Sequence, residues 1–212
     1  MIHTNHDKKI KTHTKNLLTG KQINMDITKT KIKTNITKNL MPKTNSSTIK
    51  VQKRDGRLEN LDINKIHFVV EEACEGLSGV SSSQIEMNAN IQFYDGMTTK
   101  DIQNVLVRSA NDLISLEYPN YQYAAARLLS YDVRKEAHGQ YEYIPLLKLI
   151  LRNIRLGVYD KGILDKYTKT ELKKFNTWIR RDRDLKFTYA GLRQICDKYL
   201  VQDRSTGQLY ET

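Results

Sequence analysis

Residues 51–67 read VQKRDGRLENLDINKIH, and this stretch predicts a β-hairpin that runs directly into an α-helix. The dipeptide Asp55-Gly56 is a strong signal for a two-residue type I′ turn, because that turn requires positive φ at both central positions. We therefore expect a first strand over residues 51–53 and a second strand over residues 57–62.

A cap and an apolar stripe predict the helix after the hairpin. Asn64 stands where an N-cap side chain is needed. Apolar residues then recur at helical spacing, which predicts one buried face. They are Ile66, Val69, Val70, Ala73, Cys74 and Leu77.

The junction between hairpin and helix gathers charges of both signs. Its basic residues are Lys53, Arg54, Arg57 and Lys65, and its acidic residues are Glu59 and Asp62. Such a mixture suits a ligand that is anionic at one end and hydrogen-bonding at the other. The alternative is a solvated hairpin with ordinary surface charges, and these residues alone leave both interpretations open.

The net charge of +11 is concentrated in the first 48 residues. That segment carries ten lysines, no arginine and two acids, Asp7 and Asp26, which gives +8 and leaves +3 for the other 164 residues. Its composition predicts a disordered basic tail over residues 1–48. A targeting peptide fits less well because arginine is missing, and a nucleic-acid-binding arm is a further alternative. Translation from Met41 is also compatible with this pattern.

Cysteine usage and hydropathy predict a cytoplasmic protein. Cys74 and Cys196 are far apart and fall on apolar positions of predicted helices, so we expect free core thiols and no disulfide or metal site. No apolar run approaches the roughly 18 residues that span a bilayer. The first residues also lack the apolar segment of a secretory signal.

The fold class predicted for residues 49–139 is mainly α, a β-hairpin plus four helices. Capping patterns at Ser81 with Gln84, and at Thr98 with Asp101, begin the second and third helices, and Gly139 ends the fourth. Residues 140–212 form a second, incomplete helical region. Its predicted elements are helices near 146–156, 170–179 and 189–199, and a hairpin of 199–202 with 208–210.

Catalytic motifs are missing from the predicted folded part. Gly20-Lys21 has no partner glycine for a phosphate-binding loop, and no glycine-rich fingerprint follows a predicted strand. His67 and His138 have no metal-spaced partners. Since no nucleophile is paired with a base, we expect no catalysis by this chain alone.

A nucleotide-sized anion site is the chemistry that remains. Lys53, Lys65, Thr99 and Lys135 are expected to converge in a four-helix arrangement, where the amino terminus of the third helix suits a phosphate. The alternative is a set of unrelated surface lysines, and spacing alone does not choose between them.

Four segments resemble the ATP-cone, the allosteric nucleotide-binding module of many ribonucleotide reductase large subunits. They read VQKRDG (51–56), LDINKI (61–66), IQFYDG (91–96) and YQYAAARL (121–128). The resemblance continues through GVYD (157–160), DRD (182–184) and YLVQ (199–202), and it is greatest to the class I bacterial α subunit. It implies an amino-terminal fragment that stops before the catalytic barrel.

The resemblance implies that ATP or dATP binds as an allosteric effector, with Mg²⁺. The implied site residues are Lys53, Glu59, Asn60, Leu61, Asp62, Ile63, Asn64, Lys65, Thr99 and Lys135. Some relatives carry a histidine where this chain has Gln103, which bears on the strength of dATP inhibition.

The implied partners are the remainder of the α subunit and the radical-generating β subunit, in an oligomer. We expect neither a membrane nor nucleic acid as a partner. One alternative is a DNA-associated regulator with an ATP-cone, although the family's repressors carry a four-cysteine zinc ribbon that residues 1–48 lack. The other alternative is a non-functional remnant.

Overall fold

The computed structural model describes residues 49–212, which contain a three-stranded sheet and a set of helices. The strands are β1 (Lys50–Gln52), β2 (Leu58–Asn60) and β3 (Met97–Thr98). The helices are α1 (Ile63–Cys74), α2 (Ser82–Asn90), α3 (Thr99–Asp112), α4 (Tyr121–His138), α5 (Leu146–Arg155), α6 (Ile163–Lys166), α7 (Lys169–Asn176) and α8 (Tyr189–Lys198). A 3₁₀ helix, Arg181–Lys186, lies between α7 and α8. The predicted basic tail, 1–48, lies outside the described residues.

The hairpin is confirmed, but its two-residue turn was predicted wrongly. β1 pairs antiparallel with β2, with Val51 opposite Glu59. The Gly56 N–H donates to the Lys53 carbonyl (2.9 Å), and the Lys53 N–H donates to the Arg57 carbonyl (2.8 Å). These bonds close a three-residue loop, which needs positive φ only at its last residue, and Gly56 supplies it with φ 86°.

Helix α1 is capped by Asp62 and not by Asn64. The Asp62 carboxylate accepts from the backbone N–H groups of Asn64 (3.1 Å) and Lys65 (3.4 Å). Since the helix already begins at Ile63, Asn64 lies inside its first turn. A carboxylate at this position accepts hydrogen bonds from free N–H groups and is stabilised by the positive end of the helix dipole.

Strand β3 was not predicted from the sequence. It pairs in parallel with β1, with Met97 opposite Val51. A two-residue strand is too short to show alternation, so periodicity does not reveal it. The Lys50 N–H donates to the Asp95 carboxylate (2.8 Å) at the start of this pairing. The strand leads directly into α3 and thereby holds the amino terminus of that helix beside the hairpin.

Helices α1 to α4 form the centre of the hydrophobic core, as their apolar stripes predict. Ala124 and Ala125 of α4 are fully buried, and the two helices α3 and α4 pack closely. Apart from the cap of α1, the predicted helix ends are present. Ser81 accepts from the Gln84 N–H, Thr98 accepts from the Asp101 N–H, and Gly139 ends α4 in the left-handed conformation.

The carboxy-terminal elements follow the prediction with additions. Helices α5, α7 and α8 lie where expected, whereas α6 and the 3₁₀ helix were not predicted. The expected second hairpin is reduced to one bridge, Gln202 with Leu209. Leu192 and Cys196 of α8 share the core of α1 to α4. Within residues 49–212, no helix has the length and apolarity required to cross a bilayer.

Candidate functional site

A cavity of about 450 Å³ lies between the hairpin, α1, the amino terminus of α3 and the carboxy terminus of α4. We call it the hairpin pocket. Its lining residues are Val51, Lys53, Arg54, Asp55, Arg57, Glu59, Asn60, Leu61, Asp62, Lys65, Ile66, Val69, Thr99, Ile102, Gln103, Leu106, Lys135, Gly139, Gln140 and Tyr141. This volume is in the range of small-molecule sites.

Most of the residues expected at the site line this one cavity. They are Lys53, Glu59, Asn60, Leu61, Asp62, Lys65, Thr99 and Lys135. The other two do not. The Ile63 side chain is half exposed at the start of α1, and Asn64 borders a neighbouring cavity with Phe68 and Glu142. Helix α1 begins at Ile63, two residues earlier than a cap at Asn64 would place its start, so both residues lie in its first turn.

Lys135 is a half-buried positive charge with little compensation. It lies in the last turn of α4, and among residues 49–212 no carboxylate forms an ion pair with it. Burial lowers the pKa of Lys135, and the charges of Arg54 and Lys53 lower it further, against the opposite effect of Asp132. An anion in the pocket would remove this imbalance.

The other two lysines hold weak, exposed ion pairs. Lys53 Nζ lies 3.5 Å from Glu59 Oε2, and Lys65 Nζ lies 3.4 Å from Asp62 Oδ2. Exposed pairs of this kind contribute about 0–1 kcal/mol. Both ammonium groups can therefore exchange their carboxylate for a ligand at little cost.

Arg54 ties the hairpin loop to α4. Its Nη2 lies 2.6 Å from Oδ1 of Asp132, a buried residue 78 positions further along the chain. Burial raises the pKa of the Asp132 carboxyl, and the Arg54 charge opposes that rise. The sequence marked Arg54 only as part of a charged cluster, because nothing local connects it with Asp132.

The amino terminus of α3 meets the pocket at Thr99. The first N–H groups of a helix have no partner within the helix, and the helix dipole makes this end partly positive. Thr98 caps one of them by accepting from the Asp101 N–H (3.0 Å). The remaining amides near Thr99 suit an anionic ligand.

One wall of the hairpin pocket is apolar and aromatic. Ile66, Ile102 and Leu106 supply its aliphatic part, and Tyr141, beyond α4, supplies a ring. Gln103 is buried, and its Nε2 donates to the Leu128 carbonyl (2.9 Å). The helical stripes indicated the aliphatic residues, whereas no sequence signal distinguished Tyr141 from the other tyrosines.

The thiols offer no reactive group. Burial raises the pKa of both Cys74 and Cys196 to about 11, so both are protonated at neutral pH. Among residues 49–212, no cluster of three or more His, Cys, Asp or Glu side chains is placed to hold a metal ion.

The chain is similar in sequence to a known domain family and to several known proteins. Residues 49–136 match the ATP cone domain family. The chain is 47% identical over 162 residues to ribonucleoside-diphosphate reductase 1 subunit alpha of Salmonella typhimurium, covering 76% of this chain and 21% of that protein. The Escherichia coli K12 protein of the same name is 46% identical over the same coverage. The alpha subunit of Haemophilus influenzae is 42% identical over 79% of this chain and 22% of its own length.

The chain thus spans about a fifth of the length of these curated relatives. Its matched region nevertheless extends well beyond the ATP cone, since 162 aligned residues exceed the domain's own range of 49–136. We conclude that residues 49–136 are an ATP cone and that the chain is similar, over at least 162 residues, to ribonucleoside-diphosphate reductase alpha subunits.

Proposed function

We propose that the hairpin pocket binds ATP or dATP as an allosteric effector, and that the chain is the regulatory amino-terminal region of a ribonucleoside-diphosphate reductase alpha subunit. The observation that supports this most strongly is Lys135, a half-buried ammonium group without an ion pair among residues 49–212, facing Lys53 and Arg54 in a nucleotide-sized cavity. A triphosphate supplies the negative charge that Lys135 lacks.

The phosphates would be held by Lys53, Lys65 and Lys135, together with the amides near Thr99. The segment from Glu59 to Asp62 would supply hydrogen-bonding partners for the base and the sugar. Each charge-assisted hydrogen bond contributes about 1.5–3 kcal/mol. Three or four of them, less the cost of ordering the ligand, correspond to a Kd of roughly micromolar size.

Mg²⁺ would enter bound to the triphosphate. The carboxylates that line the pocket are already engaged, since Asp55 pairs with Arg57, Glu59 with Lys53, and Asp62 caps α1. Mg²⁺ commonly keeps several waters and bridges phosphate oxygens. The chain's part is therefore to hold the phosphates. The ion would neutralise the phosphate charge that the lysines do not neutralise.

Regulation requires that ATP and dATP stabilise different states. A ligand with equal affinity for two conformational states does not shift the equilibrium between them. The 2′-hydroxyl, by which ATP differs from dATP, must therefore change the relative affinity of the pocket for the two states. The reduction itself would be performed by the remainder of the alpha subunit with the beta subunit. We propose that this chain alone is inactive as a reductase.

Calorimetric titration of the full 212-residue chain with Mg-ATP and with Mg-dATP tests the proposal. Saturable heat with a Kd of roughly micromolar size is expected for both nucleotides. A folded sample, verified by circular dichroism, that gives no heat with either nucleotide would refute nucleotide binding.

A further inference from the structure

Four side chains form a continuous stack beside the hairpin pocket, which we call the tyrosine–arginine stack: Tyr131, Arg134, Tyr141 and Tyr143. The Arg134 Cζ lies 4.8, 4.9 and 4.6 Å from the ring centroids of Tyr131, Tyr141 and Tyr143. The Tyr131 and Tyr141 rings also contact each other, with centroids 4.9 Å apart. One guanidinium therefore lies among three aromatic rings.

The stack begins at the pocket. Tyr141 lines the cavity, and its ring centroid lies 5.9 Å from Lys135 Nζ. The Tyr141 hydroxyl donates to the Glu72 carboxylate of α1, which fixes the ring between α1 and α4. A ligand that draws Lys135 towards its phosphates changes the contacts of this ring directly.

The stack ends at the 3₁₀ helix. The Tyr143 hydroxyl donates to Asp184 Oδ2 (2.6 Å), and the Arg181 Cζ lies 4.1 Å from the Tyr143 ring centroid. Both partners belong to Arg181–Lys186, which lies outside the ATP cone match of 49–136. The contacts thus leave the nucleotide-binding module and reach a separate element.

Burial makes the stack sensitive to displacement. Arg134 is 9% exposed, its Nε has no hydrogen-bond partner, and no carboxylate within residues 49–212 pairs with it. Its charge is compensated mainly by the ring faces, an attraction that strengthens when water is excluded. Moving one ring removes one of the three contacts that compensate this buried charge.

The receiving element is poorly anchored. None of the residues of Arg181–Lys186 is buried, and 3₁₀ helices have poorer hydrogen-bond geometry than α-helices. It packs against α4 and contacts Tyr143, so Tyr143 supplies part of what holds it in place.

We infer that the tyrosine–arginine stack transmits occupancy of the hairpin pocket to the 3₁₀ helix Arg181–Lys186, where the nucleotide signal leaves the ATP cone. This inference rests on the proposed nucleotide binding and specifies how that site regulates. The surface around the 3₁₀ helix is accordingly the part of the chain that changes when the effector binds.

Trp178 provides an intrinsic reporter of this change. It is the only tryptophan of the chain and is 63% exposed, three residues before Arg181. Its neighbours Asn176 and Ile179 line a small cavity together with Tyr143 and Arg181. Trp178 emission should therefore respond when the 3₁₀ helix moves.

The experiment combines calorimetry with Trp178 fluorescence on the full chain titrated with Mg-ATP. In the wild type, a saturable emission change is expected with the same midpoint as the heat. Tyr143→Leu should keep the heat, because Tyr143 does not line the hairpin pocket, and should lose the emission change. Tyr159→Leu is the matched control, since Tyr159 is also half-buried and donates to a carboxylate, that of Glu211. It should keep both signals.

The outcomes separate the two proposals. If the wild type gives no heat, nucleotide binding fails. If it gives heat without an emission change, or if the change survives Tyr143→Leu, the stack does not carry the signal. Loss of the change in both leucine variants also contradicts the inference, because it indicates general loosening. Should Tyr143→Leu fail to fold, Tyr143→Phe, which removes only the bond to Asp184, should reduce the change at least twofold.

Discussion

Arg54, which lines the hairpin pocket, forms an ion pair of 2.6 Å with Asp132 that joins the hairpin loop to the middle of α4. The carboxylate is buried and the guanidinium is about one third exposed, with side-chain exposures of 9% and 35%. The loop is thereby held over the helix that carries Lys135. Together with the pairing of β3 with β1, this long-range contact positions the elements that line the pocket.

Asp132→Asn should destabilise the ligand-free protein by about 1–2 kcal/mol, because it leaves Arg54 unpaired beside Lys135. Urea unfolding measures this change. Asp197→Asn, which breaks the exposed Arg193–Asp197 pair, should change stability by less than about 0.5 kcal/mol. Equal effects in the two variants would mean that the Arg54 pair is an ordinary surface pair.

Lys135→Met should weaken Mg-ATP binding about tenfold or more, since it removes a charge-assisted contact to phosphate. Its ligand-free stability should stay the same or rise, because an incompletely compensated buried charge is removed and the aliphatic stem is kept. Lys100→Met is the control, as Lys100 pairs with Glu136 and does not line the pocket. Binding by calorimetry that is unchanged in Lys135→Met would exclude Lys135 from the site.

His67 joins α1 to α2 and should make stability depend on pH. Its Nδ1 lies 2.8 Å from Glu86, and Glu71 lies near Nε2, so these carboxylates raise the pKa of His67 above its usual value near 6.5. The contribution of protonated His67 to the free energy of unfolding is fully present below the unfolded-state pKa and is lost as pH rises through the folded-state pKa. His67→Gln should therefore lose more stability near pH 5.5 than near pH 8.5, as thermal melts at both values would measure. A loss that is equal at the two pH values would contradict this assignment.

Asp62→Ala should destabilise α1 by about 1 kcal/mol, the usual effect of removing an N-cap. Asn64→Ala should have a much smaller effect, because Asn64 lies within the first turn and its side chain caps nothing. Thermal melts without nucleotide compare the two variants. A larger effect for Asn64→Ala would restore it as the cap.

Local signals in the sequence were sufficient to predict the positions of most of the helices. The caps at Ser81 and Thr98, the glycine at 139 and the apolar stripes all act between residues a few positions apart, so they are visible without a fold. The errors were also local. The loop at Gly56 and the cap at Asp62 each differ from the prediction by one or two residues, because neighbouring residues offered competing turns and caps.

The helical framework and the residue types of the site can be predicted from the sequence, since charge, caps and periodicity are properties of neighbouring residues. Three features of the pocket become visible only in the folded chain. They are the pairing of β3 with β1, the contact of Arg54 with Asp132 and the burial of Lys135 without an ion pair among residues 49–212. These relationships join residues about 45 to 80 positions apart, or depend on what surrounds one side chain. They arise when the helices pack, because burial changes the strength of every charge and hydrogen bond at the pocket.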